Sequence, residues 1–155
     1  MNAPTVRRAA GAADRAFIER CGIESLGSSL SPLRDAPIEA LRMNFLRLLD
    51  VVHSRSHAIL VAADGDLRLG FALLVFDLPD EVTGLAQAFL AYMAVEVGQR
   101  GHGVGTLLLA ACEEEARRHG TPYLGLMVTE GNSAAQRLYD RAGYRTERRL
   151  LGKSV

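Results

Sequence analysis

The spacing of apolar and polar positions changes several times along this chain. Short apolar runs predict strands over 5–9, 57–63, 67–76, 87–97 and 123–128, and apolar residues spaced three and four apart predict helices over 12–21, 38–52 and 104–119. A last helix is predicted to begin at Asn132 or Ser133, where Ser133 and Gln136 have the spacing of a capping box, and to end at Gly143. A final strand or tight hairpin is predicted over 144–153. The order β-α-α-β-β-β-α-β-α-β predicts an α/β fold.

A glycine-rich segment between the strand over 87–97 and the helix over 104–119 is the strongest chemical signal. Gly101, Gly103 and Gly105 stand at alternate positions there. Glycine tolerates positive φ, so such a loop can fold tightly, aim its backbone N–H groups at one point and add the partial positive charge of a helix N-terminus. The segment therefore predicts a phosphate-binding loop. A dinucleotide fingerprint would need glycine in place of Thr106, and a Walker loop would end in Gly-Lys-Ser/Thr, which is absent from the sequence.

Two motifs, in this order, carry a resemblance to a known family. The segment Arg100-Gly101-His102-Gly103-Val104-Gly105 fits Arg/Gln-x-x-Gly-x-Gly/Ala, and the segment from Asn132 to Tyr144 fits N-x-x-A-x-x-L-Y-x-x-x-G-F/Y. Together they resemble the GNAT superfamily, the general-control-related N-acetyltransferases. The resemblance implies the GNAT fold, a mixed central sheet flanked by helices, as a single domain over 1–155. It is most specific from about Gln87 onward.

The same resemblance implies an N-acetyltransferase that uses acetyl-CoA as its co-substrate and needs no metal. The amine would attack the thioester directly in a ternary complex, and the oxyanion would be stabilised by backbone N–H groups around Met93–Val95, where relatives carry a bulge and the strand splays from the next. Tyr139 is the expected general acid that protonates the leaving sulfur, with a plain core aromatic as the alternative. The residues expected to contact coenzyme A are Met93, Ala94, Val95, Arg100, Gly101, His102, Gly103, Val104, Gly105, Thr106 and Asn132. Asn132 would hydrogen-bond the pantetheine arm, or cap the last helix, or both.

The sequence assigns no general base. The two positions at which relatives carry a glutamate hold Phe89 and Met127 here. Tyr92, a chain of water molecules or Glu130 remain candidates, whereas Glu96 is expected to face solvent. An α-amino group with a pKa of roughly 8 is partly neutral and needs little base. The missing carboxylates leave an alternative function open, a non-catalytic acyl-CoA-binding or regulatory module of the same fold.

Composition narrows the remaining choices. The 155 residues are 48% hydrophobic and 23% charged with a net charge of zero, which is typical of a globular chain and gives no support to a nucleic-acid surface. Cys21 and Cys112 lack metal-site spacing and are expected to be free thiols. The N-terminus lacks a secretory apolar region and no run is long enough to span a membrane, so a cytoplasmic protein is expected. The expected acceptor is a small-molecule or peptide amine, contacted by Ser25–Pro32, and a homodimer is left open.

Overall fold

The computed structural model describes residues 3–155, so that Met1 and Asn2 lie outside the described residues. The strands are β1 (Thr5–Arg8), β2 (His57–Asp64), β3 (Leu67–Val75), β4 (Ala88–Val95) and β5 (Leu124–Leu126). The α-helices are α1 (Gly11–Ser25), α2 (Ile38–His53), α3 (Val104–Arg118) and α4 (Ser133–Arg141), and 3₁₀ turns cover Leu26–Ser29 and Val97–Gln99. The first five predicted strands and all four predicted helices are confirmed, and Cys21 and Cys112 are free and buried.

The final strand or tight hairpin predicted over 144–153 is wrong. The segment 145–155 forms neither helix nor strand, and its apolar side chains Leu150 and Leu151 are 83% and 85% exposed. The physical reason lies in its pattern, because a run of charged residues followed by two adjacent leucines has no alternation that could bury one face of a strand. An ion pair between Arg148 Nη2 and Asp80 Oδ2, 2.7 Å long, holds this segment against the β3–β4 connection instead.

The sheet has the order β1-β2-β3-β4-β5, with antiparallel pairing between the first four strands and a parallel β4–β5 pair. The parallel pair covers only Ala88–Leu90 against Leu124–Leu126. Beyond it, β4 continues to Val95 while β5 ends, so the two chains part. This β4–β5 gap opens at the end of β4 that leads into the glycine-rich loop, and it places an unpaired strand edge beside that loop.

Helices cover both faces of the sheet. The α3 face carries Leu60, Ala72, Leu74 and Leu90 packed against Leu108 and Cys112 of α3, with Leu138 and Tyr139 of α4 added at its margin. The α1/α2 face carries Val61, Phe71, Leu73 and Val75 packed against Phe17 and Phe45. Because successive strand residues point to opposite faces, the apolar runs of β2 and β3 supply both cores at once.

A β-bulge interrupts the β3–β4 ladder at Ala91. Leu73 is paired with Tyr92 and Leu74 with Leu90, which leaves Ala91 as the extra residue. A one-residue insertion reverses which face each later side chain occupies. Tyr92 accordingly packs on the α1/α2 face and Met93 on the α3 face. The resemblance implied a bulge around Met93–Val95. The structure corrects this position, because the extra residue is Ala91, just before that segment.

The buried carboxylate of Asp14 ties the start of α1 to the sheet. Asp14 is 1% exposed, and its Oδ2 accepts a 2.8 Å hydrogen bond from the Ala10 N–H. Its oxygens also accept hydrogen bonds from Arg7 of β1 and from Arg68 Nε of β3, the latter 2.6 Å long. The Arg7 guanidinium, with the Ala10 N–H and Arg68, holds the pKa of Asp14 well below its usual range despite the opposing effect of burial.

We expect Asp14→Asn to lower the free energy of unfolding by about 2 kcal/mol at neutral pH, because it removes a charged acceptor from two arginines. A depressed carboxyl pKa stabilises the fold above the unfolded pKa near 4, and this contribution is lost as the pH falls through the folded value. Denaturant unfolding of both proteins should therefore show their difference shrinking below about pH 4. Asp50→Asn, on the exposed side of α2, is the matched control; an equal loss there, or a constant difference at all pH values, contradicts the assignment.

Candidate active site

The glycine-rich loop leads directly into the N-terminus of α3. Gly103 caps the helix in the left-handed region with φ +83°, and Gly101 has φ +77°. Among the residues that the structure describes, none has an atom within 4 Å of where a Cβ would stand at either glycine. No side chain in the described part of the chain caps the helix, and the Leu107 N–H donates to Gly103 O at 3.0 Å. The N–H groups of Val104, Gly105 and Thr106 precede that bond, so they are free for an anion.

Gly105 has a different task from the two glycines before it. A Cβ at this position would lie 3.2 Å from Leu138 Cδ2 and 3.9 Å from Val95 Cγ2. The missing side chain therefore lets α4 approach the start of α3 and the end of β4. Arg100 and His102 are exposed on the loop, and Arg100 Nε donates a 3.2 Å hydrogen bond to Val95 O.

The edge of β4 that borders the gap carries two backbone donors. The Glu96 N–H donates to Leu69 O of the β3 side at 2.8 Å, and by the alternation of an antiparallel ladder the Ala94 N–H also faces β3. The N–H groups of Met93 and Val95 therefore face the gap, as does Val95 O, which Arg100 contacts. Of the three residues predicted to supply N–H donors, Ala94 is thus directed away from the gap by its register.

Tyr139 lies on α4, half-buried at the margin of the α3 face. Its ring centroid is 5.8 Å from that of Tyr144. The Tyr144 hydroxyl donates to Glu113 Oε1 at 3.2 Å, whereas the Tyr139 hydroxyl has no hydrogen-bond partner within residues 3–155. Burial, and to a lesser extent the neighbouring Cys112 thiol, raises the pKa of Tyr139. The hydroxyl is therefore protonated at neutral pH and available to a ligand.

Asn132 is the N-cap of α4. Its Oδ1 accepts a 3.3 Å hydrogen bond from the Ala135 N–H, which agrees with the predicted capping role. The capping box predicted from Ser133 and Gln136 is wrong, because Asn132 is the N-cap and Ser133 is already the first residue of the helix. Gln136 Nε2 donates to Thr129 O at 3.4 Å. The side-chain amide of Gln136 instead ties the first turn of α4 to the segment that follows β5.

A cluster of hydroxyl groups faces the gap region from the other side of the sheet. Tyr92 Oη lies 2.8 Å from Ser25 Oγ and 3.4 Å from Ser29 Oγ. Thr129 Oγ1, after β5, donates to Ser29 O at 2.8 Å. The sequence predicted that Ser25–Pro32 contacts the acceptor. It gave no sign of the bond between Ser25 and Tyr92, because that bond joins the end of α1 to β4 across 67 residues.

Glu96 lies at the surface with 27% of its side chain exposed, and it forms an ion pair there. Arg20 of α1 holds both of its carboxylate oxygens, with Nη1–Oε1 and Nη2–Oε2 distances of 3.2 Å and 2.8 Å. This guanidinium lowers the pKa of Glu96. A carboxylate engaged in this way is a poor proton acceptor, so Glu96 does not replace the missing base.

Comparison with known proteins agrees with this arrangement. The Acetyltransferase (GNAT) family matches residues 27–144, a span that includes the gap, the glycine-rich loop and α4. The chain belongs to the GNAT acetyltransferase family. The resemblance recognised in the two motifs, and with it the fold class, is confirmed. Acyl transfer is the chemistry of this family.

Relatives of this GNAT protein are distant. The streptothricin acetyltransferase of Streptomyces lavendulae is 33% identical over 86 residues, which are 56% of this chain and 42% of that protein. The match thus spans less than half of that relative's length. A Pyrococcus furiosus protein described as an acetyl transferase shares the fold with a TM-score of 0.82 at 23% identity, over 98% of this chain and 99% of that one. An aminoglycoside N-acetyltransferase in complex with CoA has a TM-score of 0.66 at 16% identity, over 97% and 98%.

Metal-binding clusters and membrane-spanning helices were sought throughout the described residues of this GNAT protein. Within residues 3–155, no three His, Cys, Asp or Glu side chains come together in a way that could hold a metal ion. None of the helices in the described part of the chain has both the length and the apolar composition of a membrane span.

Proposed function

We propose that this protein is a single-domain, acetyl-CoA-dependent N-acetyltransferase that acts on a primary amine of a small molecule or peptide. Three features of the same part of the fold support the proposal. The β4–β5 gap opens at the end of β4, where the Met93 and Val95 N–H groups lie on the unpaired edge. The uncapped N-terminus of α3 follows β4 directly, and α4, which carries Tyr139, packs against the start of α3 through the contact of Leu138 with Gly105.

The uncapped α3 N-terminus suits the pyrophosphate of coenzyme A. Its free N–H groups and the helix dipole favour negative charge, and left-handed Gly101 and Gly103 leave open space in front of them. Arg100 and His102 border this end of the loop. Asn132 stands at the start of α4, where its amide can cap the helix and still hydrogen-bond the pantetheine arm.

The chemistry then follows as direct transfer. The amine nitrogen attacks the thioester carbon, a C–N bond forms and the carbonyl oxygen becomes an oxyanion that the Met93 and Val95 N–H groups stabilise. The C–S bond breaks as the intermediate collapses. The Tyr139 hydroxyl gives its proton to the sulfur, so that coenzyme A leaves as a thiol, and the proton lost by the amine restores the phenol. The products are the N-acetyl amide and free coenzyme A.

The test begins with calorimetric titration of acetyl-CoA into the protein. Thiol release is then followed with ethanolamine, an alanyl tripeptide and neamine, which represent a small monoamine, a peptide N-terminus and a polycation. Binding with turnover supports the proposal and ranks the acceptors. Binding without turnover on such a panel favours the alternative, a non-catalytic acyl-CoA-binding module. No binding contradicts the assignment of the glycine-rich loop.

A further inference from the structure

The bulge at Ala91 decides on which face of the sheet Tyr92 lies. Strict alternation from Leu90, which packs on the α3 face, would put Tyr92 on that face as well. The extra residue sends it to the α1/α2 face, where its ring stacks on Phe71 at 6.1 Å and meets the edge of Phe45 at 5.3 Å. Packing on two aromatic rings fixes the direction of the Tyr92 hydroxyl.

The hydrogen bonds around this hydroxyl can be assigned donor by donor. Ser25 Oγ donates to Gly22 O at 2.8 Å, which uses the only proton that the serine hydroxyl has. In the 2.8 Å contact between Tyr92 and Ser25, the tyrosine must then be the donor. In the longer, 3.4 Å contact between Tyr92 and Ser29 Oγ, the serine is then the donor and engages one lone pair of the tyrosine oxygen. The second lone pair remains, so a ligand at this position meets a hydrogen-bond acceptor.

The same chain of bonds limits what Tyr92 can do. It runs from Tyr92 to Ser25 and ends on the Gly22 carbonyl oxygen. A backbone carbonyl accepts a hydrogen bond but does not take up the proton at neutral pH, so no proton can leave Tyr92 along this path. Among the base candidates, Tyr92 is therefore suited to holding an amine and not to deprotonating it.

The hydroxyl cluster of Ser25, Ser29, Tyr92 and Thr129 also connects the two chain segments that border the gap. The 3₁₀ turn Leu26–Ser29 contacts β4 through Tyr92 and contacts the segment after β5 through the 2.8 Å bond from Thr129 Oγ1 to Ser29 O. Tyr139 lies on the opposite, α3 face. The hydroxyl cluster and Tyr139 therefore lie on opposite faces of the sheet.

We propose that Tyr92 positions the acceptor: its hydroxyl oxygen accepts a hydrogen bond from the N–H of a primary amine that enters the gap from the α1/α2 face. Ser25 acts through Tyr92, because it fixes the hydroxyl proton on the far side of the oxygen. The inference rests on the proposed N-acetyltransferase function and assigns the residue that holds the acceptor amine in that site.

Tyr92→Phe tests the inference, with the best acceptor of the three-amine panel as the probe. The variant should raise the KM for the amine about tenfold, since the lost bond is to a polar N–H, while kcat at saturating amine and the Kd of acetyl-CoA change less than about twofold. Ser25→Ala should raise the same KM about threefold, because it frees the Tyr92 hydroxyl to rotate. The control, Tyr123→Phe, removes a hydroxyl from an exposed tyrosine just before β5. It should leave the KM for the amine, kcat and the Kd of acetyl-CoA unchanged.

The outcomes separate the inference from the function on which it rests. An unchanged KM in Tyr92→Phe overturns the inference and leaves the transferase intact. A fall in kcat without a rise in KM overturns it too, because Tyr92 would then act in the chemical step. Absence of turnover by the unaltered protein with all three amines overturns the proposed function and the inference together, and calorimetry on the same samples shows whether acetyl-CoA still binds.

Discussion

Gly103→Glu should weaken acetyl-CoA binding by at least about 100-fold. Two effects act together at this residue. A side chain at φ +83° is strained by about 1–3 kcal/mol, and the loop can relieve that strain only by turning N–H groups away from their present directions. The added carboxylate also places a negative charge where the diphosphate is expected, which costs about 4 kcal/mol for charges about 4 Å apart near a protein surface. Calorimetric titration with acetyl-CoA measures the loss.

Gly120→Glu is the matched control for this variant. Gly120 follows the other end of α3 with φ +76°, and no atom of residues 3–155 lies within 4 Å of where its Cβ would stand. The control therefore adds the same charge and a similar backbone strain, far from the proposed cradle. Its thermal stability should fall by an amount similar to that of Gly103→Glu, while its acetyl-CoA affinity stays unchanged. Equal affinities in the two variants would refute the loop assignment.

Tyr139→Phe should lower kcat by about 100-fold, at the lower end of what a positioned proton donor contributes. The variant keeps the ring that packs at the margin of the α3 face and removes only the hydroxyl, which bonds to no other described residue. Acetyl-CoA affinity and thermal stability should therefore change little. Thiol release at saturating acetyl-CoA and amine measures kcat, and calorimetry measures the affinity.

Tyr144→Phe provides the comparison for this second variant. Its ring lies 5.8 Å from that of Tyr139, and its hydroxyl is bonded to Glu113 of α3. Removing this neighbouring hydroxyl should cost some stability and leave kcat within about twofold, since the bond to Glu113 is structural. If Tyr139→Phe keeps full turnover, the leaving sulfur receives its proton from water or from another residue. If both variants lose turnover equally, the effect comes from packing.

The parts of the fold that depend on local patterns could be predicted from the sequence. Apolar spacing predicted the first three helices and the five strands, and capping residues predicted the last helix. The glycines at 101 and 103 predicted a loop that requires positive φ, which both residues adopt. Asn132 could be predicted as a cap because capping depends on side-chain chemistry within one turn. Such features are determined by neighbours along the chain, and the sequence contains them directly.

The features that were missed depend on contacts between distant parts of the chain. Ala91 has no property that marks it as a bulge, since the register of β4 is set by its partner β3. The pairing of Arg20 with Glu96 and of Ser25 with Tyr92 follows from where α1 crosses β4. Gly105 could be assigned to the loop but not to its contact with Leu138, which exists only once α4 has docked.

The short parallel pairing of β5 has a consequence for how stability is distributed in the molecule. β5 is held by three register pairs, and none of the nine residues of α4 is fully buried. The segment 124–141 therefore has less packing to lose on local opening than β2 and β3, whose cores are closed on both faces. A ligand stabilises the conformation that binds it, so coenzyme A bound against this segment would raise the free energy of its local opening. If the proposed transferase function holds, release of coenzyme A would therefore be thermodynamically coupled to local opening of α4.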